Sequence, residues 1–153
     1  RGNTIISIGT GSKFLIDSKI VDEELLNTEK SNSESEFKTY IDASDNRGKE
    51  QIGGIILNAQ IDISHPLGFG YEDPIIPVYK NNTVWLKPSK NEYSSVVRYT
   101  PNPLIDGFIT ENNAKKINKT VSLLVSKIGS GRAILFSNNP NFRGSWYGTS
   151  RLF

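Results

Sequence analysis

The chain has 153 residues, of which 36% are hydrophobic and 22% charged, as expected for one globular domain with a sizeable core. Its formal net charge of +2 at pH 7 is too small to indicate nucleic-acid binding, and no basic run contains interleaved aromatic residues. The apolar runs are only a few residues long, so we predict no membrane span.

The counts of cysteine and histidine limit the chemistry of the chain. It has no cysteine, which excludes disulfides, thiolate metal sites and thiol nucleophiles. Its one histidine is His65, whereas a histidine-based zinc site normally needs two or three imidazoles. We therefore predict no catalytic residue and no metal ligand in this chain. The weakest alternative is a hydrolase that pairs Ser or Asp with His65.

The first third of the chain mixes apolar runs with one long polar segment. Residues 4–8 are rich in β-branched side chains and predict a buried strand, which a short helix follows at about 12–16. A further helical turn is expected at about 21–26. Residues 27–50 are rich in Ser, Asn, Glu and Lys, and they predict a polar surface insertion or loop.

The remainder of the chain is mostly strand-like. The predicted strands are residues 52–63, 75–79, 83–86, 94–99, 120–128 and 132–136. Lys80-Asn-Asn and Gly129-Ser-Gly131 predict hairpin turns, and Pro101 and Pro103 should end the strand before them. Thr110 predicts the N-cap of a helix that runs to about residue 118.

From these elements we predict an α/β fold, a central sheet with flanking helices and an antiparallel extension, in one domain over residues 1–153. Residues from Phe142 onward predict a final helix whose first core residues are Leu152 and Phe153. Both ends of the sequence are abrupt, so we expect an incomplete domain. Apolar surface at Leu152 and Phe153 would then promote self-association.

A binding site is predicted where Asn, Arg and aromatic residues follow the last predicted strand. Open α/β sheets bind ligands at the carboxyl ends of their strands, so the candidate residues are Arg143 and Trp146 with His65 and Tyr71. Three of the four have a structural alternative: His65 could brace its own turn, Arg143 could pair with a carboxylate or carbonyl, and Trp146 could fill the core.

Five segments, taken in order, carry a family resemblance. They are Gly53-Gly-Ile-Ile-Leu-Asn-Ala, Ser64-His-Pro-Leu-Gly-Phe-Gly-Tyr, Ser94-Ser-Val-Val-Arg-Tyr-Thr, Asn102-Pro-Leu-Ile-Asp-Gly-Phe-Ile and the run from Gly129 to Phe153. They resemble the C-terminal domain of bacterial zinc carboxypeptidases of the M14 family. That domain is similar to class I glutamine amidotransferases, a flavodoxin-like α/β sandwich. The match covers most of the chain beyond residue 52.

The resemblance implies a secreted or periplasmic parent protein that cleaves peptides with a zinc-bound water. Its zinc ligands, two His and one Glu, would lie in an upstream peptidase domain, so no cofactor is expected in this chain. We therefore expect a non-catalytic accessory domain that docks on the upstream domain or shapes access to it. The alternative is a binding module for a small molecule, peptide or sugar, with its pocket at the C-terminal edge of the sheet.

Overall fold

A computed structural model of the chain describes residues 2–26, 39–144, 146 and 148–152, with the backbone alone at 44–47. Its strands are β1 (Thr4–Ile8), β2 (Ile55–Ile61), β3 (Ile75–Lys80), β4 (Val97–Asp106), β5 (Val121–Ile128) and β6 (Gly131–Phe136). Its α-helices are α1 (Thr10–Asp17), α2 (Ala43–Glu50) and α3 (Glu111–Ile117). The strands form one sheet in the order β1-β6-β5-β4-β2-β3.

The predicted flavodoxin-like α/β sandwich is wrong. The sheet is a mixed half-barrel, in which only β1 and β6 pair in parallel and the other four pairs are antiparallel. A doubly wound fold needs parallel strands joined by helices that cover both faces. Here the helices have seven or eight residues, and β2 to β4 and β5 to β6 follow one another with no α-helix between them. The antiparallel part that was expected as an extension is most of the sheet.

β4 continues through Pro101 and Pro103, which the sequence analysis predicted would end it. The pairing of β4 with β2 explains how a strand tolerates them. Ala59 is paired with Tyr99 and Leu57 with Leu104, so an advance of two residues along β2 corresponds to an advance of five residues along β4. The prolines therefore lie in a bulge, where the missing N–H groups leave no ladder hydrogen bond unmade.

Two hydrophobic clusters cover the two faces of the sheet. The cluster inside the half-barrel draws on β2 to β6 and includes Trp85, Phe136 and Leu152. The other cluster lies under α1 and includes Leu15, Leu86, Leu124 and Leu135. Leu152 is therefore core and not exposed apolar surface, and Phe153 lies outside the described residues. Of the two residues predicted to form a self-association surface, Leu152 is therefore buried in the core.

Several local predictions are confirmed. β1 and α1 follow in the expected order, and Gly129 to Gly131 joins β5 to β6 in an antiparallel hairpin. Thr110 caps α3, because its hydroxyl accepts a hydrogen bond from the backbone N–H of Asn113. Within the predicted insertion, residues 27–38 lie outside the described part, and residues 40–50 form a 3₁₀ turn followed by α2.

Other local predictions are wrong. Residues 21–26 are not helical, and Leu25 forms an isolated β-bridge with Leu86. No hairpin forms at residues 80–82, because β3 pairs with β2. The final helix is replaced by two 3₁₀ turns, Phe142–Gly144 and Ser150–Leu152. β1 is a strand but is not buried: Ile5 and Ile6 are 45% and 44% exposed at the edge of the sheet.

Candidate functional site

His65 has the structural role that the sequence analysis gave as its alternative. It is the N-cap of the 3₁₀ turn Pro66–Gly68, and its Nδ1 atom accepts a hydrogen bond of 3.1 Å from the backbone N–H of Leu67. An imidazole that accepts at Nδ1 carries its proton on Nε2. The side chain therefore braces the loop between β2 and β3.

Tyr71 and Trp146 fasten the C-terminal segment to β3 and its neighbouring loop. The Tyr71 hydroxyl donates to the carbonyl of Gly148 at 3.1 Å, and burial raises the pKa of that hydroxyl. The Trp146 indole N–H donates to the carbonyl of Pro77 in β3 at 2.9 Å. Arg143 is exposed and its guanidinium lies 5.3 Å from the Phe142 ring centroid. Of the four predicted binding residues, Tyr71 and Trp146 therefore both help to hold the C-terminal segment in place.

A cleft of about 510 Å³, which we call the α1 cleft, lies beside α1 instead. Segments 23–26 and 83–87 form its other walls. The residues that line it are Lys13, Ile16, Asp17, Glu23, Glu24, Leu25, Leu26, Thr83, Val84, Trp85 and Lys87. None of the four residues predicted to bind a ligand belongs to this lining. Its volume is in the range of small-molecule sites.

Backbone hydrogen bonds hold the two wall segments together. The N–H of Leu26 donates to the carbonyl of Trp85 at 2.8 Å, and the N–H of Lys87 donates to the carbonyl of Glu24 at 2.9 Å. The bridge between Leu25 and Leu86 lies between these two bonds. The walls therefore form a short two-stranded ladder, and the cleft has a defined shape without a ligand.

Two ion pairs lie at the rim of the cleft. Lys13 pairs with Asp17 at 2.6 Å along α1, and Lys87 pairs with Glu24 at 2.9 Å across the wall segments. The hydrogen bond and charge of Lys87 lower the pKa of Glu24. All four side chains are well exposed, so these pairs contribute little to stability.

Glu23 differs from Asp17 and Glu24, the other two carboxylates of the lining. It is half-buried, and it accepts a hydrogen bond of 3.1 Å from the Ser89 hydroxyl. Burial raises its pKa above the ordinary value, against the effect of that hydrogen bond. Within the described ranges it forms no ion pair.

A buried polar cluster, the Lys80 cluster, adjoins the cleft. Its members are Lys80, Trp85, Tyr99, Ser122, Ser137 and Asn138. Lys80 is fully buried, and its Nζ donates to the carbonyls of Val84 at 2.7 Å and Ser137 at 3.1 Å and to Asn82 Oδ1 at 3.2 Å. Ser137 follows β6, which three strands separate from β3 in the sheet. Lys80 thus ties the two sides of the half-barrel together.

Most of the remaining Lys80 cluster is also buried, and Tyr99 is its partly buried member. The Tyr99 hydroxyl lies 3.0 Å from Ser137 Oγ, and burial raises the pKa of Tyr99 to about 12. Trp85 Nε1 and Asn138 Nδ2 have no hydrogen-bond partner in the part of the chain that the structure describes. Trp85 also lines the α1 cleft, and Lys80 Nζ lies 4.8 Å from its ring centroid.

No family model, curated protein or solved structure matches the chain. The resemblance to the C-terminal domain of M14 carboxypeptidases therefore stays a prediction. No group of three or more His, Asp or Glu residues in the described part is placed to hold a metal ion, and none of the helices seen there is long and apolar enough to cross a membrane.

The sequence analysis missed both the cleft and the Lys80 cluster. For Lys80 a signal existed: Ile76, Val78 and Lys80 alternate along β3, and all three are buried. Continuing the strand by one residue would have directed Lys80 inward, whereas we placed it in a turn. No comparable signal marks the cleft, because its walls come from segments about sixty residues apart.

Proposed function

We propose that this chain is a small-molecule binding domain that takes its ligand in the α1 cleft. The observation that supports it is the cleft itself, with its volume of about 510 Å³ and its mixed lining. Apolar side chains from α1 and both wall segments would cover the body of a ligand, and charged groups at the rim would orient it. The ladder between the walls means that little ordering would be needed on binding.

A ligand screen observed by NMR tests this proposal. Small polar molecules should shift backbone amide signals of residues 23–26 and 83–87. Thr83 is exposed and lines the cleft, so Thr83→Trp should fill it and abolish those shifts. Thr4→Trp, at an exposed position on β1 outside the lining, is the matched control and should leave them unchanged. A screen without any hit at these amides would contradict the proposal.

A second role follows from the family resemblance and from the open edge of β1. We propose, as that second role, a non-catalytic accessory domain of a secreted or periplasmic zinc carboxypeptidase-like protein. Ile5 and Ile6 point to opposite faces of an edge strand and are both nearly half exposed, and Phe14 on α1 is 63% exposed. Exposed apolar edge strands pair readily with another chain or domain.

The accessory role is tested by mixing this domain with the peptidase domain encoded upstream in the same gene. Sedimentation should detect a complex that Ile6→Lys weakens and Thr4→Lys, on the same strand, leaves largely intact. Zinc would be required by the peptidase domain alone. Peptidase activity of the isolated chain that a chelator abolishes would contradict this role.

A further inference from the structure

We infer that the ligand of the α1 cleft is an organic cation, an ammonium or guanidinium group on an apolar body, with Glu23 as its counter-ion. This inference rests on the proposed binding function. It concerns the chemical class of the ligand, which neither the fold nor the resemblance assigns.

The charged groups of the lining differ in whether they already have a partner. Asp17 and Glu24 already have lysine partners, and these lysines, Lys13 and Lys87, are correspondingly engaged. That leaves Glu23 as the one lining carboxylate without an ion pair among the residues described. A ligand cation would meet an available carboxylate, whereas a ligand anion would meet lysines that are already paired.

The carboxylate of Glu23 is destabilised by its partial burial. A carboxylate that is taken out of water without a cation is destabilised, and the raised pKa of Glu23 follows from its burial. The hydroxyls of Ser89 and Ser126 compensate only in part. Lys90, whose amino group pairs with Glu24 at 3.5 Å, lowers the pKa of Glu23 only through its charge. A ligand ammonium would supply the missing charge and a charge-assisted hydrogen bond.

The rest of the lining is mostly apolar. Ile16, Leu25 and Leu26 are partly exposed apolar residues of the lining, whereas Val84 and Trp85, which also belong to it, are buried. Alkyl chains bury well on such apolar surface. Lys80 contacts Trp85 but does not line the cleft, and its Nζ is surrounded by three oxygen acceptors. It is therefore not a free cation that would recruit an anion.

The test compares three probes of equal chain length, hexylamine, 1-hexanol and hexanoate, by NMR titration at pH 7. Hexylamine should bind at the cleft amides, and the other two should bind about tenfold more weakly or not at all. Glu23→Gln should weaken hexylamine about tenfold, whereas Glu23→Asp, which keeps the carboxylate, should retain most of the affinity. Glu72→Gln is the matched control and should have little effect, because Glu72 is exposed and lies outside the lining of the cleft.

The outcomes separate this inference from the proposed function. If hexanol or hexanoate binds as tightly as hexylamine, or if Glu23→Gln leaves hexylamine affinity unchanged, the cation inference is overturned and the binding cleft stands. If no probe shifts the cleft amides and a wider screen also finds nothing, the proposed function falls as well. Circular dichroism of each variant confirms that the protein remains folded. If Glu23→Gln unfolds the chain, the relative affinities of the three probes for the unmodified protein decide the question.

Discussion

The stability of this protein should rise with pH between 7 and 10 because of Lys80. Burial lowers the pKa of Lys80 from its ordinary value of 10.5 to about 7. Below pH 7 both the folded and the unfolded chain hold this proton, so Lys80 contributes no slope. Between the two pKa values the unfolded chain binds the proton that the folded chain has lost, and the free energy of unfolding therefore increases with pH.

The size of this effect follows from the shift. A difference of about 3.5 units between the two pKa values corresponds to about 5 kcal/mol over the full range. This is an upper bound, because three oxygen acceptors on Nζ match the three N–H donors of an ammonium and stabilise the charged form. Tyr99 acts in the opposite sense at higher pH. Its pKa of about 12 against an ordinary 10 makes stability fall above pH 10. A maximum near pH 10 is expected.

Urea unfolding at pH 7, 8, 9 and 10 measures the slope directly. Lys80→Met keeps the length of the side chain and removes the titrating group, so its stability should not show this rise. Its absolute stability is expected to be lower near neutral pH, because the carbonyls of Val84 and Ser137 lose their donor. The comparison therefore uses slopes and not single values. A flat or falling profile in the unmodified protein, or an equal rise in Lys80→Met, would refute the argument.

Three further changes test the packing of the C-terminal segment and one helix cap, each by urea unfolding. Gly148→Ala should destabilise the protein by more than about 2 kcal/mol, because the new Cβ would lie 2.0 Å from the carbonyl oxygen of Pro77. Gly53→Ala, with nothing within 4 Å of its Cβ, is the control and should change stability by less than about 0.5 kcal/mol. Trp146→Phe removes the indole N–H that donates to β3 and should lower the free energy of unfolding by about 1 kcal/mol. An unchanged free energy of unfolding would contradict a stabilising role for that hydrogen bond. Thr110→Ala should cost about 1 kcal/mol through loss of the α3 cap, and an unchanged midpoint would contradict that role.

The elements that could be predicted from the sequence are those whose signals are local. A capping hydroxyl at Thr110, a glycine-bounded turn at residues 129–131 and a β-branched run at residues 4–8 each act within a few residues. The structure has α3, the β5–β6 hairpin and β1 at these places. Propensity and turn chemistry were sufficient there because no distant partner decides the local conformation.

The fold class could not be predicted, because it depends on which strands pair. The apolar run of residues 75–79 is compatible with a hairpin to residues 83–86, and the structure pairs it with β2 instead. Residues 101–103 contain two prolines that argue against a strand, and a bulge opposite Leu57 accommodates them. The described residues of the C-terminal segment form no regular helix, because Arg143 has a φ of 54° and Gly148 packs against the backbone of Pro77. These are tertiary constraints that periodicity does not contain.

The candidate site also depends on contacts distant in sequence, and Trp85 connects its two parts. Its ring centroid lies 4.8 Å from Lys80 Nζ, and the residue belongs to the lining of the α1 cleft. Val84 accepts a hydrogen bond from Lys80 and belongs to the same lining. The side chain that ties β3 to the end of β6 therefore also positions one wall of the cleft. Lys80 has no carboxylate partner among the described residues, and burying a lysine in this way carries a desolvation cost. What an apolar side chain would lack is the set of three directed hydrogen bonds that hold segment 82–84 and residue 137 in place. We therefore interpret the free-energy cost of burying Lys80 as the cost of holding one wall of the cleft in a fixed position.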